Sequence, residues 1–339
     1  MTAHRTIVIA DHHKSIFVCQ ILDRETGAVE RRTLQSSRSV LEPFLRALEG
    51  PVLVFIEACR SWEWVGDLCE ELGCDFRLID PRQMPEISKS RKKTDQADVE
   101  AMVRRFLVQG DLPRAYNATR SERELRGLTR QLSKLRQARR DLLLQIHAEI
   151  DAHGLPSAKK YFHDLLWRRQ MEAKLSEDCW LILLSLLQRL DFIDVQRELF
   201  DSRIQTRVAG LETYRRLQTV PGIGPIIAAT IVAEVPNMKR FGSARQFASY
   251  CGLVPSVRSS AGKARMGSIT KSGPRDLRWA LGHAVFVGRN SDAVHLCRRK
   301  KAQKKAWKAA LCAGANKLAR IIWAMCVHET DYESRLKLA

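Results

Sequence analysis

The sequence predicts a mixed α/β domain followed by a mainly helical remainder, and three observations carry that prediction. Residues 5–85 alternate short strand-like runs with amphipathic helical ones. An apolar seam at 3-4 spacing then runs from Leu125 to Ile146, and the last third is helix-patterned and strongly basic. Three early strands followed by alternating helices and strands imply a mixed sheet with helices packed on it.

Taken in order, residues 6–10, 16–22 and 29–34 predict short strands, the first two joined by a polar turn from His12 to Ser15. A helix carrying Val40, Leu41, Phe44, Leu45 and Leu48 follows. Next come a wholly apolar strand at 52–56, a helix with Trp64, Leu68 and Leu72, and a closing strand at 76–79. Residues 81–93, with two prolines and a run of basic residues, predict a loop. Thr94 ends it as an N-cap, and the helix that starts there carries Asp95, Asp98, Val99, Met102, Val103, Phe106 and Leu107 as far as Gly110. Asp95 and Asp98 are three apart and share one face of that helix.

From Ser121 the positions Leu125, Leu128, Leu132, Leu135, Leu142 and Ile146, interrupted at Arg139, predict a long helix with a narrow apolar seam. Such a seam either packs the helix on its own domain or pairs two protomers as a coiled coil. His153-Gly154-Leu155-Pro156 breaks the helix, and further helices are expected at 162–173 and 176–208. After Gly210 come a helix to Thr219, the turn Pro221-Gly222-Ile223-Gly224-Pro225, an apolar helix at 226–235, and basic loops and helices to the end. The expected domains are 1–118, a helical or coiled-coil connector at 119–212, and 213–339; a chain of 339 residues has room for two to three.

The composition narrows the partners. Lys and Arg number 57 against 38 Asp and Glu, a net +19, and 45% hydrophobic residues exclude disorder as the dominant state. Between Lys239 and Arg320 stand nineteen basic residues and two acids, Asp276 and Asp292, so seventeen of the nineteen net charges lie in that window. A solvated face intersperses both signs; this segment does not, so a polyanion partner is expected. The run from Arg298 to Lys308 is too densely basic and too poor in Leu and Phe for a membrane-lying helix, which leaves nucleic acid. No uninterrupted apolar stretch approaches the ~18 residues that span a bilayer, and the short run at 7–10 is not a signal-peptide core. The expectation is a cytoplasmic protein with no membrane partner. Nine scattered cysteines without a C-x-x-C pair are expected to be reduced and mostly buried.

Four carboxylates stand where a metal site could use them: Asp11 at the end of the first strand, Glu57 at the end of VLVFIEA, and Asp95 with Asp98. Singly, each has a local explanation as a turn former, a helix-start acid or a surface residue. Together, carboxylates on apolar elements are costly unless a cation offsets them, and Mg²⁺ takes oxygen ligands. Two such ions about 4 Å apart serve in-line phosphoryl displacement, the chemistry of nucleases and strand transfer.

The turn Pro221 to Pro225 looks like a helix-hairpin-helix, with Gly222 and Gly224 letting the backbone approach a phosphate; an ordinary helix–helix turn is the alternative. Ser260 lies among Arg258, Lys263, Arg265 and Lys271, with Gly262 and Gly267 for backbone access, a candidate phosphate cradle. From composition alone, Ser259 and Ser260 also read as simple loop residues.

The order IVIAD, FIEA and KTDQAD in a chain with a basic C-terminal third resembles the DEDD-type insertion-sequence transposases, relatives of the Piv and MooV DNA invertases. The stretch GLVPSVRSSAGKARMGSITKSGPRDLRWAL, residues 252–281, is similar to the signature of that family's C-terminal transposase domain. The resemblance implies a RuvC-like RNase H fold for the N-terminal domain, with Asp11, Glu57, Asp95 and Asp98 as ligands of Mg²⁺ or Mn²⁺. It makes Ser260, five residues after Pro255, the nucleophile that forms a phosphoserine link; Ser259 is the alternative, because Ala261 stands where the family commonly has Gly. It also implies donor and target DNA as substrates and a noncoding guide RNA as partner, with Arg258, Lys263, Arg265, Lys271, Arg275 and Arg278 at the nucleic acid.

The sequence departs from the family at Ala58-Cys59-Arg60-Ser61-Trp62, where a small-residue run is usual, and at Pro274, where Asn is common. Metal site and serine are far apart in sequence, so a composite site built by a homo-oligomer, a dimer or tetramer, is expected, with the 125–146 seam as its contact. Two other readings stay open: a RuvC-like junction nuclease that uses water, and a non-catalytic nucleic-acid scaffold.

Overall fold

The structure, a computed structural model, describes residues 4–59, 61–84, 94–157, 159–260 and 263–333. They fall into two compact units, Met1–Arg120 and Ser121–Ala339.

The first unit is built on a five-stranded mixed sheet of order β3-β2-β1-β4-β5, comprising β1 (Thr6–His12), β2 (Ile16–Asp23), β3 (Val29–Gln35), β4 (Val52–Glu57) and β5 (Asp75–Ile79). β1 and β2, then β2 and β3, pair antiparallel; β4 runs parallel to both β1 and β5. This α/β arrangement is compatible with an RNase H-like DEDD domain. β1 and β4 are buried on both faces, which is why they read as continuous apolar runs.

Period-two alternation sorts their side chains into two cores. Val8, Ala10, Val54 and Ile56 pack with Leu41 and Leu45 of α1 (Arg38–Arg46) and with Val65, Leu68 and Cys69 of α2 (Trp62–Glu71). On the other face, Ile7, Ile9, Leu53 and Phe55 pack with Val99, Met102, Val103 and Phe106 of α3 (Asp95–Gln109). Phe55 is wholly buried, so truncating it to Ala removes about 3–5 kcal/mol of stability. The Thr94 hydroxyl caps α3 by accepting from the Ala97 N–H at 3.2 Å, and Gly110 at φ 74° ends it. The expected strands and the α3 boundaries are observed. β1, however, continues through His12, so Asp11 lies inside the strand, paired with Val18.

The second unit is mainly helical. α4 (Arg120–Ala152) and α6 (Glu177–Val208) run side by side, with α5 (Leu165–Glu172) between them in sequence. α7 (Glu212–Gln218), α8 (Pro225–Glu234), α9 (Ala244–Tyr250), α10 (Arg275–Val287), α11 (Asp292–Ala302) and α12 (Trp307–His328) complete it.

The α4 seam is occupied within the chain. Leu125 and Leu132 share a core with Ile204 and Val208, and Leu142 and Ile146 share another with Leu183, Leu187 and Leu190. Of the two readings of that seam, packing on its own domain is the one observed, and the seam named as the contact between protomers is covered by α6. The helix expected at 162–173 starts later, because the Asp164 carboxylate accepts from the Leu166 and Trp167 N–H groups and sets the N-terminus of α5 there.

The basic stretch after Val254, expected as loop, forms an antiparallel hairpin of β6 (Pro255–Ser260) and β7 (Lys263–Ile269). Its base is closed by two glycines. A Cβ on Gly252 (φ 67°) would stand 2.6 Å from the Ser272 carbonyl, and one on Gly273 (φ 114°) would stand 2.0 Å from that of Tyr250. By length and composition α12 could cross a membrane, yet it is the central core helix of this unit, with Ala310, Gly314, Leu318, Ala319 and Ile322 buried. Gly314 permits close approach of α12 to α11, since a Cβ there would meet the Ala293 carbonyl at 3.0 Å.

Candidate functional site

The alternation that puts Ile7 and Ile9 toward α3 puts Asp11 on the same face, and Leu53 and Phe55 do the same for Glu57. Ala10 pairs with Ile56, so Asp11 and Glu57 follow at one level on adjacent parallel strands. α3 begins over that level. Its buried positions Val99 and Met102 share a helical face with Asp95 and Asp98, which places both acids of its first turn toward the sheet end.

His13 links the strand to the helix. Its Nε2 lies 3.1 Å from Asp11 Oδ2 and 3.2 Å from Asp95 Oδ1, and the three side chains offer ligand atoms within 4.8 Å of one another. Burial pushes the Asp11 carboxyl up from its usual range; His13 opposes this, and the negative charges of Asp95 and Asp98 add to it. Burial alone would lower His13, but Asp11 and Asp95 outweigh it and hold the imidazole above its ordinary value. Neighbouring His12 points to the other face, where its Nε2 lies 2.6 Å from the Ser36 hydroxyl and burial lowers it.

The structure therefore gathers Asp11 and Asp95 directly and brings the Asp98 charge to bear on Asp11, with half-buried Glu57 at the same level. Mutually repelling carboxylates beside an imidazole form a hard donor set that suits a divalent cation, and His13 now stands where positive charge is required. The sequence reading missed His13; an imidazole two residues beyond a strand-end acid was the available signal. Arg60 lies outside the described residues.

The serine and the basic positions lie in the second unit. Ser260 is the last residue of β6 and pairs with Lys263; Ser259 pairs with Ala264, and Arg258 with Arg265. Ala261 and Gly262, at the turn, lie outside the described residues. Gly267 is in β7, and a Cβ there would stand 2.5 Å from the Ser256 hydroxyl. Lys271 (φ 53°) and Arg275, the first residue of α10, are exposed. Arg278 instead turns inward and donates to the Gly273 and Cys251 carbonyls at 3.0 and 3.4 Å, bracing the hairpin base.

In the 221–225 turn the two glycines differ. Gly222 (φ 100°) packs so closely that a Cβ would stand 2.3 Å from the Ala284 carbonyl, whereas Gly224 is exposed and open at the N-terminus of α8. A feature absent from the sequence reading is a concave surface of about 670 Å³ among α4, α6, α8 and α10, lined by Arg130, Lys134, Arg136, Arg140, Arg275 and Trp279 and by the acids Asp141, Asp201 and Asp276.

Comparison with known proteins agrees with this organisation. Residues 10–153 match the profile of DEDD transposases of the IS110 type, and residues 214–295 match that described as transposase IS116/IS110/IS902 family. A protein of Pseudomonas aeruginosa described as a probable family 20 transposase is 29% identical over 337 residues, covering 95% of this chain and 97% of that one. The transposase for insertion sequence element IS1328 of Yersinia enterocolitica is 27% identical, covering 96% of this chain and 98% of its own. The transposase for IS1111A of Coxiella burnetii is 25% identical, covering 82% and 79%. The two profiles follow one another along the chain and together cover about two thirds of it, and the chain belongs to the IS110-type family of insertion-sequence transposases.

Proposed function

We propose that the chain is a Mg²⁺-dependent DNA recombinase that cuts and rejoins strands through a phosphoserine intermediate, with a noncoding RNA selecting donor and target DNA. The observation that carries this reading is the gathering of Asp11, Asp95 and Asp98 at the open end of β1, with Glu57 alongside. In it, Asp11, Glu57, Asp95 and Asp98 hold Mg²⁺, or Mn²⁺ in its place, within a RuvC-like RNase H domain. The bound ion would offset the negative charge that builds on the phosphate oxygens during displacement.

The remaining roles fall to the chain's own groups. The Ser260 hydroxyl attacks phosphorus and loses its proton; one deoxyribose oxygen leaves and is protonated, which creates the phosphoserine. A hydroxyl of the incoming strand then attacks the same phosphorus, restores a phosphodiester and releases the serine. Arg258, Lys263, Arg265, Lys271 and Arg275 neutralise phosphates around it, and the exposed N-terminus of α8 at Gly224 offers N–H groups to another. Arg278 acts by holding the hairpin base to α10. The acting species is a homo-oligomer in the bacterial cytoplasm, at the nucleoid.

The test is denaturing electrophoresis of the full chain with Mg²⁺, labelled target DNA and RNA transcribed from the region flanking the gene. A protein-linked labelled band is expected for wild type and Ser259→Ala and is lost in Ser260→Ala and Asp11→Ala. Cleaved DNA without a linked band, in both wild type and Ser260→Ala, overturns the serine pathway in favour of a water-using nuclease.

A further inference from the structure

α10 carries an unused aromatic face. Trp279, His283 and Phe286 follow one another at helical spacing, and Trp307 of α12 closes the row. The Trp279 and His283 rings stack at 5.2 Å and 13°, and Phe286 meets Trp307 edge-on at 6.2 Å. Large rings are normally covered, yet Trp279 is 38% exposed, Phe286 61% and Trp307 43%.

Beside this row opens a slot of about 440 Å³, floored by Leu253 and Ile269 from the hairpin base and by Leu311 and Ala315 from α12. Arg275 and Arg278 line it, and no carboxylate does. Lys271 adds a third cation, its charge reaching the Cys312 thiol in the slot wall. Arg275 and Trp279 also line the larger basic concavity, so the apolar slot and a cationic path meet at the Trp279 ring. Lys134 and Arg275 make no ion pair among the described residues.

We infer that this slot binds one unpaired base of single-stranded DNA, stacked on Trp279, while its flanking phosphates lie along Arg275, Lys271 and the basic concavity. An apolar slot walled by rings suits a nucleobase face, and its own rim of Arg275, Arg278 and nearby Lys271 suits the adjacent phosphates, with five cations outnumbering Asp141, Asp201 and Asp276 in the adjoining concavity. A duplex keeps its base faces stacked inward and cannot offer one without extruding a nucleotide. Cleaving and exchanging strands exposes such bases, so the inference rests on the proposed function and adds the surface that receives them.

The test is fluorescence anisotropy of the full chain with three labelled probes of equal length: an oligo-dT of ~12 nucleotides, the same strand in a duplex, and oligo-U RNA. Trp279→Ala and, independently, Phe286→Ala are expected to weaken oligo-dT binding about tenfold, with duplex binding held within about twofold and Trp279→Phe retaining most of the affinity. Equal weakening for single strand and duplex, or no weakening, overturns the base slot while leaving DNA binding and the proposed function intact. Loss confined to oligo-U overturns the assignment to DNA. A wild-type chain that binds none of the DNA probes overturns both the slot and the function on which it rests.

Discussion

The His13 imidazole stands 3.1 Å from the Asp11 carboxylate and bridges it to Asp95, the first acid of α3. It supplies the positive charge that two facing carboxylates need, but Asp11 still titrates above its usual range because its side chain is only 10% exposed. A group whose neutral form is favoured by the fold costs stability when ionised. Asp11→Asn should therefore leave the metal-free Tm unchanged or raise it by a few degrees, while abolishing DNA cleavage and the Tm rise on adding Mg²⁺. Thermal unfolding with and without Mg²⁺ checks this. A metal-free Tm well below wild type contradicts the burial argument, and a Mg²⁺-induced rise that persists contradicts the metal assignment.

Glu234 is almost wholly buried at the end of α8, and Arg130 of α4 grips it with two hydrogen bonds of 2.7 and 2.9 Å. Removing that cation leaves the buried carboxylate only the more distant Arg126, 3.9 Å away and already donating to the Ala233 carbonyl. Arg130→Met is expected to cost about 3 kcal/mol, the low end for breaking a buried pair, because Arg130 is itself half in water. Glu234→Gln should cost less, since a neutral amide keeps a hydrogen bond. Urea midpoints of the two variants test the ranking.

Along α6, Arg139 of α4 and Arg197 meet at Asp194, and Arg168 of α5 meets Asp191 together with His163. Burial would raise both carboxyls, but the arginines outweigh it and hold each below the usual range. A depressed carboxylate contributes stability above its unfolded pKa, near 3.9, and loses it as pH falls through the folded value. Tm should accordingly fall faster than expected below about pH 4, and Asp194→Asn should flatten that fall while lowering Tm at pH 7. An unchanged acid limb in the variant would assign the acid loss elsewhere.

How much of this was legible depends on how local each cause is. Thr94 caps α3 within three residues, and the face shared by Asp95, Asp98, Val99 and Met102 follows from helical period alone, so both were readable. The apolar runs of β1 and β4 likewise announced a sheet buried on both faces. His13 was only half legible: its spacing from Asp11 is local, but its bridge to Asp95 reaches a helix more than eighty residues away. The α4 seam showed a buried stripe without saying that α6 would cover it. The hairpin escaped because Arg258, Ser259, Ser260 and Lys263 give no period-two apolar signal.

Gly222 and Gly224 look equivalent in sequence and are not. An alanine at 222 would combine a left-handed backbone with a clash against the Ala284 carbonyl, at a cost of about 3 kcal/mol. Gly224 has an ordinary φ of −88° and open space, so Gly224→Ala should cost less than about 1 kcal/mol, as a weaker N-cap. If α8 presents its N-terminus to a phosphate, Gly224→Ala lowers DNA affinity with the fold intact. Full retention of affinity would leave the turn a purely structural one.

Seventeen of the nineteen net charges lie between Lys239 and Arg320, and the end of α11, the link after it and the start of α12 expose Arg298, Arg299, Lys301, Lys304, Lys305 and Lys308. If the window neutralises about eight phosphates, log affinity for duplex DNA should fall against log salt with a slope near −7. Replacing Arg298, Arg299, Lys301 and Lys304 by Ser should reduce that slope by up to about 0.9 for each phosphate that is no longer neutralised, without shifting sequence preference, since phosphates carry none. These side chains lie on the surface, so the variant should fold with wild-type Tm. A wild-type slope near zero would remove the polyanion reading of the charge. A variant slope equal to wild type would instead place the bound phosphates at the hairpin and at the cations around Arg275.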